Sequence, residues 1–154
     1  MSRGFTLIET LIYLALLSLI FFGLFVSFFA IVEGAGRAAV QNRLQDEGGF
    51  LLAKIGWAMN GAESVVADGS GLQVLSAGNT LKIYSCGINN KDLCWQSDNA
   101  KLNDSRIELA NPVFNVYSDG NGVESMKASF TLRTRTATGQ IVARDFETTE
   151  YLMK

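Results

Sequence analysis

The chain has 154 residues, a length that indicates one domain of ordinary size, with or without an appendage. Its formal net charge is −2. It contains no histidine, which excludes histidine-based acid–base catalysis and histidine metal ligands. Two cysteines are too few for a disulfide scaffold or a zinc site made of cysteines alone, and the near-neutral charge argues against nucleic-acid binding through bulk electrostatics.

The first predicted element is an apolar segment at residues 10–32, which contains no Asp, Glu, Lys or Arg. A helix needs about 20 apolar residues to cross the hydrocarbon core of a bilayer, so this segment is long enough. A secretory signal peptide usually has a shorter apolar region, about 7–15 residues, followed by a cleavage site of small residues. Residues 33–37 match such a site only weakly, which favours a retained membrane anchor.

Three charges at the start of the chain bear on this anchor. Arg3 and the terminal amine precede the apolar segment, so the positive-inside rule predicts a cytoplasmic N-terminus and an outer position for the rest of the chain. Glu9 lies at the edge of the apolar run, where a carboxylate is costly. Position alone leaves two explanations open: Glu9 stays near the headgroups or protonates, or it has a specific cationic partner.

The run Gly4-Phe5-Thr6-Leu7-Ile8-Glu9, followed by the apolar segment, resembles the processing motif of type IV prepilins and type II secretion pseudopilins. The resemblance implies that prepilin peptidase cuts between Gly4 and Phe5 and then methylates the new amine of Phe5. It also implies that Glu9 faces the positive N-terminus of a neighbouring subunit during assembly. The implied partners are the peptidase, other pilin or pseudopilin subunits and the inner membrane. The implied final location is an extracellular or periplasmic filament.

The chain departs from many major pilins because no proline occurs before Pro112, whereas those proteins carry one near the position of Val26. This favours a minor pilin or pseudopilin that helps to initiate or cap a filament. A competence or secretion pseudopilin is the alternative within the family. A membrane-anchored binding domain that never polymerises is the alternative of a different class. No catalytic constellation, cofactor motif or small-molecule site is indicated, so we expect a protein that is not an enzyme.

After residue 33 the sequence predicts that the helix continues as an amphipathic one. Apolar residues recur at intervals of three, four and seven, which is helical spacing. These residues are Val40, Leu44, Leu51, Ile55, Ala58 and Ala62. We expect one helix over residues 5–62, with possible kinks at Gly34, Gly36 and the Gly48-Gly49 pair. The predicted organisation is a leader at 1–4, a transmembrane and filament-core segment at 5–33, an amphipathic continuation at 34–62 and an outer β-rich domain at 63–154.

From residue 63 onward, short alternating runs separated by Gly, Asn, Asp and Ser predict β-strands. The predicted strands are 72–75, 81–86, 93–96, 107–109, 113–117, 123–132 and 141–152. A turn at residues 138–140 predicts that Leu132 pairs with Phe146 and Arg133 with Asp145. The predicted fold class is therefore α+β: a long N-terminal helix packed on an antiparallel sheet, as in pilins.

Cys86 and Cys94 flank a predicted turn at residues 89–91. Directly opposed positions of a hairpin can meet the separation that a disulfide needs, and an outer domain lies where cysteines tend to pair. We therefore expect a bridge, with two free buried thiols as the alternative.

Three further features carry weaker signals. Oxygen-bearing side chains at 118–124 faintly resemble a calcium loop, but Asp-Gly and Asn-Gly are first of all turn signals, so no metal is expected. Arg133, Arg135 and Arg144 on neighbouring strands predict a small basic patch, yet nucleic-acid binding is not favoured because stacking aromatics are lacking there. Trp57 and Trp95 are expected in the core or an interface.

Overall fold

The computed structural model describes residues 6–69, 71–95, 100–118 and 124–152. The predicted α+β class is confirmed, since one long N-terminal helix is followed by antiparallel strands. The elements in chain order are α1 (Leu7–Met59), β1 (Ser64–Ala67), β2 (Gly71–Ser76), β3 (Asn79–Cys86), a short 3₁₀ helix (Ile88–Asn90), β4 (Asp92–Trp95), β5 (Ala100–Lys101), β6 (Glu108–Ser118), β7 (Glu124–Arg135) and β8 (Ile141–Tyr151).

The chain divides into two compact units, Met1–Ala39 and Val40–Lys154. In the first unit, every described residue, 6–39, is exposed. That unit contains most of the apolar part of α1, and α1 is the one described helix that is long and apolar enough to cross a membrane. Exposed leucine and phenylalanine side chains in such number require an apolar surrounding that the chain itself does not provide.

The second unit has a hydrophobic core built from the C-terminal part of α1 and both of the sheets described below. Leu44, Leu51 and Ile55 have no exposed surface, which follows from their helical spacing on one face of α1. They pack with core residues from the strands, among them Leu72, Val74, Ile83, Leu93, Phe114, Met126, Phe130, Leu132 and Phe146. Val40, the first residue of the predicted stripe, is only half-buried.

Gly48 lies in this helix–sheet contact and is buried. A Cβ placed on Gly48 would fall 2.1–2.5 Å from atoms of the Phe146 ring, whereas a Cβ on Gly49 would meet nothing within 4 Å. Phe146 in turn stacks on Phe130 at a centroid distance of 5.7 Å. The absence of a side chain at Gly48 therefore lets α1 approach β8 closely, and α1 continues through the Gly48-Gly49 pair without a break.

The strands form two antiparallel sheets, one ordered β1-β2-β3-β4-β5 and the other β6-β7-β8. The predicted strands at 107–109 and 113–117 are one strand, β6, whose pairing with β7 shifts between Ala110 and Val113. Asn111 there has a φ of 49° and Pro112 has no N–H to donate, so the strand continues through an irregularity rather than ending.

The predicted register of the β7–β8 hairpin is wrong by two residues. Phe130 pairs with Phe146 and Leu132 with Arg144, because Thr136 and Gln140 close the loop by a backbone hydrogen bond of 2.9 Å. The three loop residues are thus 137–139, one position earlier than predicted, and Gly139 takes the positive φ of 83° that such a loop needs at its last residue. A register shift of two residues leaves each side chain on the predicted face of the sheet, because side chains alternate with a period of two.

Candidate functional site

Glu9 lies in the first turn of α1, where a carboxylate is favoured by the positive end of the helix dipole. Its backbone N–H donates to the Thr6 carbonyl oxygen at 3.0 Å, and the Thr10 hydroxyl donates to the Leu7 carbonyl oxygen at 2.8 Å. The Glu9 side chain is exposed and forms no ion pair with any residue in the described ranges. The carboxylate is thus presented at the beginning of an exposed apolar helix.

Gly4 and Phe5, the two residues of the predicted cleavage site, lie outside the described residues. Of the predicted turn at residues 118–124, positions 119–123 also lie outside them, and β6 and β7 pair as far as Ser118 and Glu124 on either side. Within the described part of the chain, no three His, Cys, Asp or Glu side chains come together as possible metal ligands.

Cys86 and Cys94 are joined by a disulfide, with their Cα atoms 5.8 Å apart. The expectation that the two residues oppose each other directly is wrong: Tyr84 pairs with Cys94 and Cys86 with Asp92. The bridge therefore runs diagonally between β3 and β4. The turn between them is a 3₁₀ helix over Ile88–Asn90, preceded by Gly87 with a φ of 78°.

A polar network that sequence reasoning missed fixes the loop between β5 and β6. The side chain of Asn103 is buried, and its oxygen accepts a hydrogen bond from the Leu93 N–H at 2.9 Å. Its amide nitrogen donates to the Ile107 carbonyl oxygen at 2.6 Å and to the Asp92 carboxylate at 3.2 Å. These bonds satisfy a polar group that would otherwise be costly to bury. An asparagine in a polar loop gives no sequence signal for this role.

The next residue, Asp104, ties the same loop to α1. Its carboxylate accepts from Arg43 at 2.6 Å, and its backbone N–H donates to Glu47 at 2.7 Å. The backbone N–H of Arg106 donates to the carboxylate at 2.8 Å, and this bond, followed by the Arg106 and Arg43 side chains, lowers the pKa of Asp104 to about 2. Arg43 and Glu47 therefore attach the β5–β6 loop to α1, in addition to lying on the polar face of that helix.

Trp57 and Trp95 meet at the surface, with ring centroids 5.7 Å apart. The ammonium of Lys54 lies 5.2 Å from the centroid of one ring and 5.4 Å from that of the other, which is cation–π distance. Trp57 is 59% exposed, so it is not a core residue, while Trp95 packs partly against the core.

The predicted basic patch is only partly correct. Arg133 and Arg135 alternate on one face of β7, but Arg144 pairs with Leu132 and therefore lies on the other face of the sheet. Arg133 of β7 pairs with Glu108 of β6 in the sheet. The Glu108 carboxylate, however, accepts a hydrogen bond from the Lys91 ammonium at 2.9 Å and none from Arg133. That hydrogen bond is the main reason why the pKa of Glu108 is lowered, with Arg133 and Arg135 adding a Coulombic contribution.

Comparison with known protein families gives a match at the N-terminus. Residues 1–25 match the family model described as the prokaryotic N-terminal methylation motif. Comparisons with curated proteins and with solved structures give no match. The matched residues include Gly4, Phe5 and Glu9 and the first part of the exposed apolar helix. This motif, together with the long apolar helix that precedes an antiparallel β-rich unit, supports a protein of the type IV pilin and pseudopilin class.

Proposed function

We propose that the chain is a structural and assembly subunit, a minor pilin or pseudopilin, and not an enzyme. Prepilin peptidase cuts it between Gly4 and Phe5 and methylates the new N-terminus. The apolar helix first holds the subunit in the inner membrane, with its N-terminus in the cytoplasm and its β-rich domain outside. It then packs against the helices of other subunits in a pilus-like filament.

The observation that carries this proposal is the methylation motif at 1–25 on a helix whose described residues are exposed as far as Ala39. The membrane shields this apolar surface from water before assembly, and neighbouring helices shield it afterwards. The lack of a proline before Pro112 supports a minor subunit or pseudopilin over a major pilin.

Glu9 is the residue that we propose sets the position of one subunit against the next. Its carboxylate has no cationic partner within the described ranges of its own chain, and assembly in the membrane brings it beside the freed amine of Phe5 of a neighbour. A carboxylate and an ammonium attract strongly in a low dielectric, and either group is costly there if it is left alone. A subunit therefore docks only where the two charges meet.

The N-terminus of the mature chain tests the processing step. Mass spectrometry of protein isolated from cells that contain prepilin peptidase is expected to find N-methylphenylalanine from Phe5. Gly4→Val is expected to keep the leader, because a β-branched side chain crowds the scissile bond. Gly23→Val is the control, since a Cβ at Gly23 meets nothing within 4 Å, and it should be processed normally. Protein that retains Met1 in such cells would contradict the proposal.

Incorporation into fibres separates the remaining alternatives. A subunit of an extracellular pilus is expected in the sheared filament fraction, and a pseudopilin of a periplasmic filament is expected to cross-link to other subunits of that filament in the cell envelope. A membrane-anchored binding domain that never polymerises stays in the membrane fraction and gives no such cross-link. Fractionation and cross-linking of cells that express the processed chain distinguish these two classes.

We further propose that the Cys86–Cys94 bridge persists in the outer, oxidising compartment. It closes a short loop between β3 and β4 and should stabilise the domain by about 2–3 kcal/mol. Alkylation of the native, non-reduced protein is expected to label neither cysteine. Labelling of both residues would show that the bridge is absent.

A further inference from the structure

A groove of about 440 Å³ at one end of the β6–β7–β8 sheet is lined mainly by charged side chains, most of them arginines. Arg43, Arg106, Arg133 and Arg135 contribute guanidinium groups, and Glu108 contributes a carboxylate. Val40 and Ile141 supply apolar surface to the same lining. All of these residues belong to the second unit, so the groove is a feature of the folded domain itself.

The four arginines are not equally available. Arg43 and Arg106 both contact the ionised carboxylate of Asp104, at 2.6 and 3.4 Å. Glu108 is engaged by Lys91 at 2.9 Å. Among the described residues, neither Arg133 nor Arg135 has an ion-pair partner. The groove thus presents two exposed guanidinium groups that form no ion pair among the described residues, with Glu108 as the acidic group near them, although the chain as a whole carries a net charge of −2.

The spacing of these two groups fits an anion that is larger than a single carboxylate oxygen. Arg133 and Arg135 are two positions apart on β7, about 7 Å along the strand, with their side chains on the same face. A guanidinium binds phosphate oxygens through parallel N–H donors and carries its charge at all physiological pH values. Two such forks on one side of an open groove are suited to a phosphate group with room for its substituents.

The short sequence distance between the apolar segment and the groove determines which phosphate groups lie near the groove most often. Val40, in the groove lining, follows Val32, the last residue of the uncharged segment, by only eight positions. Eight residues span at most about 28 Å in any conformation. An anchored chain therefore keeps the groove close to the headgroups of the membrane, which raises the local concentration of lipid phosphate around it.

We propose that Arg133 and Arg135 bind the phosphates of phospholipid headgroups at the surface of the membrane that holds the apolar segment. This inference rests on the proposed anchoring of the subunit before assembly. The contact holds the domain against the membrane surface while the subunit is stored there. It is lost when the subunit leaves the bilayer, so headgroup binding opposes premature extraction.

The test uses the full chain in a neutral detergent, titrated with phosphatidylglycerol or phosphatidylcholine and followed by native mass spectrometry of bound lipid. Arg133→Gln/Arg135→Gln is expected to weaken phosphatidylglycerol binding about 25-fold, since each cation near an anionic lipid surface contributes about fivefold. Lys82→Gln/Arg144→Gln makes the same change in net charge at exposed cations outside the groove lining and should stay within about twofold of the unchanged chain.

Three outcomes would overturn the proposal. Equal weakening by both pairs of substitutions would show that only net charge matters. Displacement of the lipid by inorganic phosphate at a similar concentration would assign the groove to a soluble anion. Unchanged lipid binding combined with lost filament incorporation in Arg133→Gln/Arg135→Gln would assign it to a subunit contact. Glu9→Leu should leave lipid binding unchanged, so a failure of the assembly proposal is distinguishable from a failure of this one.

Discussion

The two units of this chain obtain their stability in opposite ways. In residues 6–39 no described side chain is buried, although the sequence there is the most apolar of the whole chain. In the second unit, a less apolar sequence buries a contiguous core that includes Leu44, Leu51 and Phe114. Hydrophobic content alone therefore does not indicate a core. Where polar and apolar residues are interspersed, the chain buries its own apolar side chains. Where apolar residues follow one another without interruption, another molecule must shield them from water.

The largest effect that we expect concerns the first unit and leaves the second untouched. Glu9→Leu should reduce incorporation into filaments by about 100-fold or more, because removal of one member of a buried ion pair costs about 3–5 kcal/mol. Cleavage and domain stability should not change. Ser18→Leu is the control, since it removes a polar group from the same helix without removing a charge. Normal incorporation of Glu9→Leu would exclude the proposed role of this carboxylate.

A pair of identical truncations tests the contrast between the units directly. Leu51→Ala should lower the free energy of unfolding of the second unit by about 2–5 kcal/mol, because Leu51 has no exposed surface and its loss leaves a cavity. Leu17→Ala, at a residue that is 49% exposed, should leave that free energy unchanged. Denaturant unfolding of the full chain in detergent, followed by the fluorescence of Trp57 and Trp95, measures both. Equal effects would show that the two units do not differ in this respect.

Two adjacent glycines sharpen the comparison within α1. Gly48→Ala should destabilise the second unit by about 1–3 kcal/mol, because the added methyl group overlaps the Phe146 ring. Gly49→Ala meets open space and should be neutral or stabilising by up to about 1 kcal/mol through helix propensity. The same unfolding measurement applies, and Phe146→Leu combined with Gly48→Ala should recover part of the loss. An equal response of both glycines would mean that the close helix–sheet contact does not form.

The smallest effect that we expect is a pH dependence of the second unit. The pKa of Asp104 is lowered from 3.8 to about 2 in the folded chain by the Arg106 N–H and the two arginine side chains. The carboxylate therefore contributes stability above about pH 4, and this contribution is lost as the pH falls toward 2. Unfolding curves between pH 5 and pH 2 should show this slope, and Asp104→Asn should reduce it. An unchanged slope in the variant would remove Asp104 as its source.

Much of the fold was predictable from periodicity. The spacing of Leu44, Leu51 and Ile55 identified the buried face of α1, and alternation located most of the strands. The short strands β1 and β5 carry too little pattern to be recognised. Two sheets rather than one, and the continuation of β6 past Pro112, depend on tertiary pairing that composition does not encode.

Residues of the proposed site could be predicted only where a local motif exists. Gly4, Phe5 and Glu9 stand in a fixed order beside an apolar run, whereas the roles of Gly48, Asn103 and Asp104 depend on what faces them from distant parts of the chain. The grouping of Arg144 with Arg133 was wrong in either register, because residue 144 is next to the residue that pairs with Arg133 and therefore lies on the opposite face of the sheet. The register itself depended on which loop residue takes the positive φ, and that residue is Gly139.

In the second unit, one face of α1 packs with the strands of both sheets through Leu44, Leu51 and Ile55. A force applied along this part of α1 would act on these contacts together, so they would have to slide at the same time rather than peel apart one after another. This arrangement would let the domain bear tension while it remains folded.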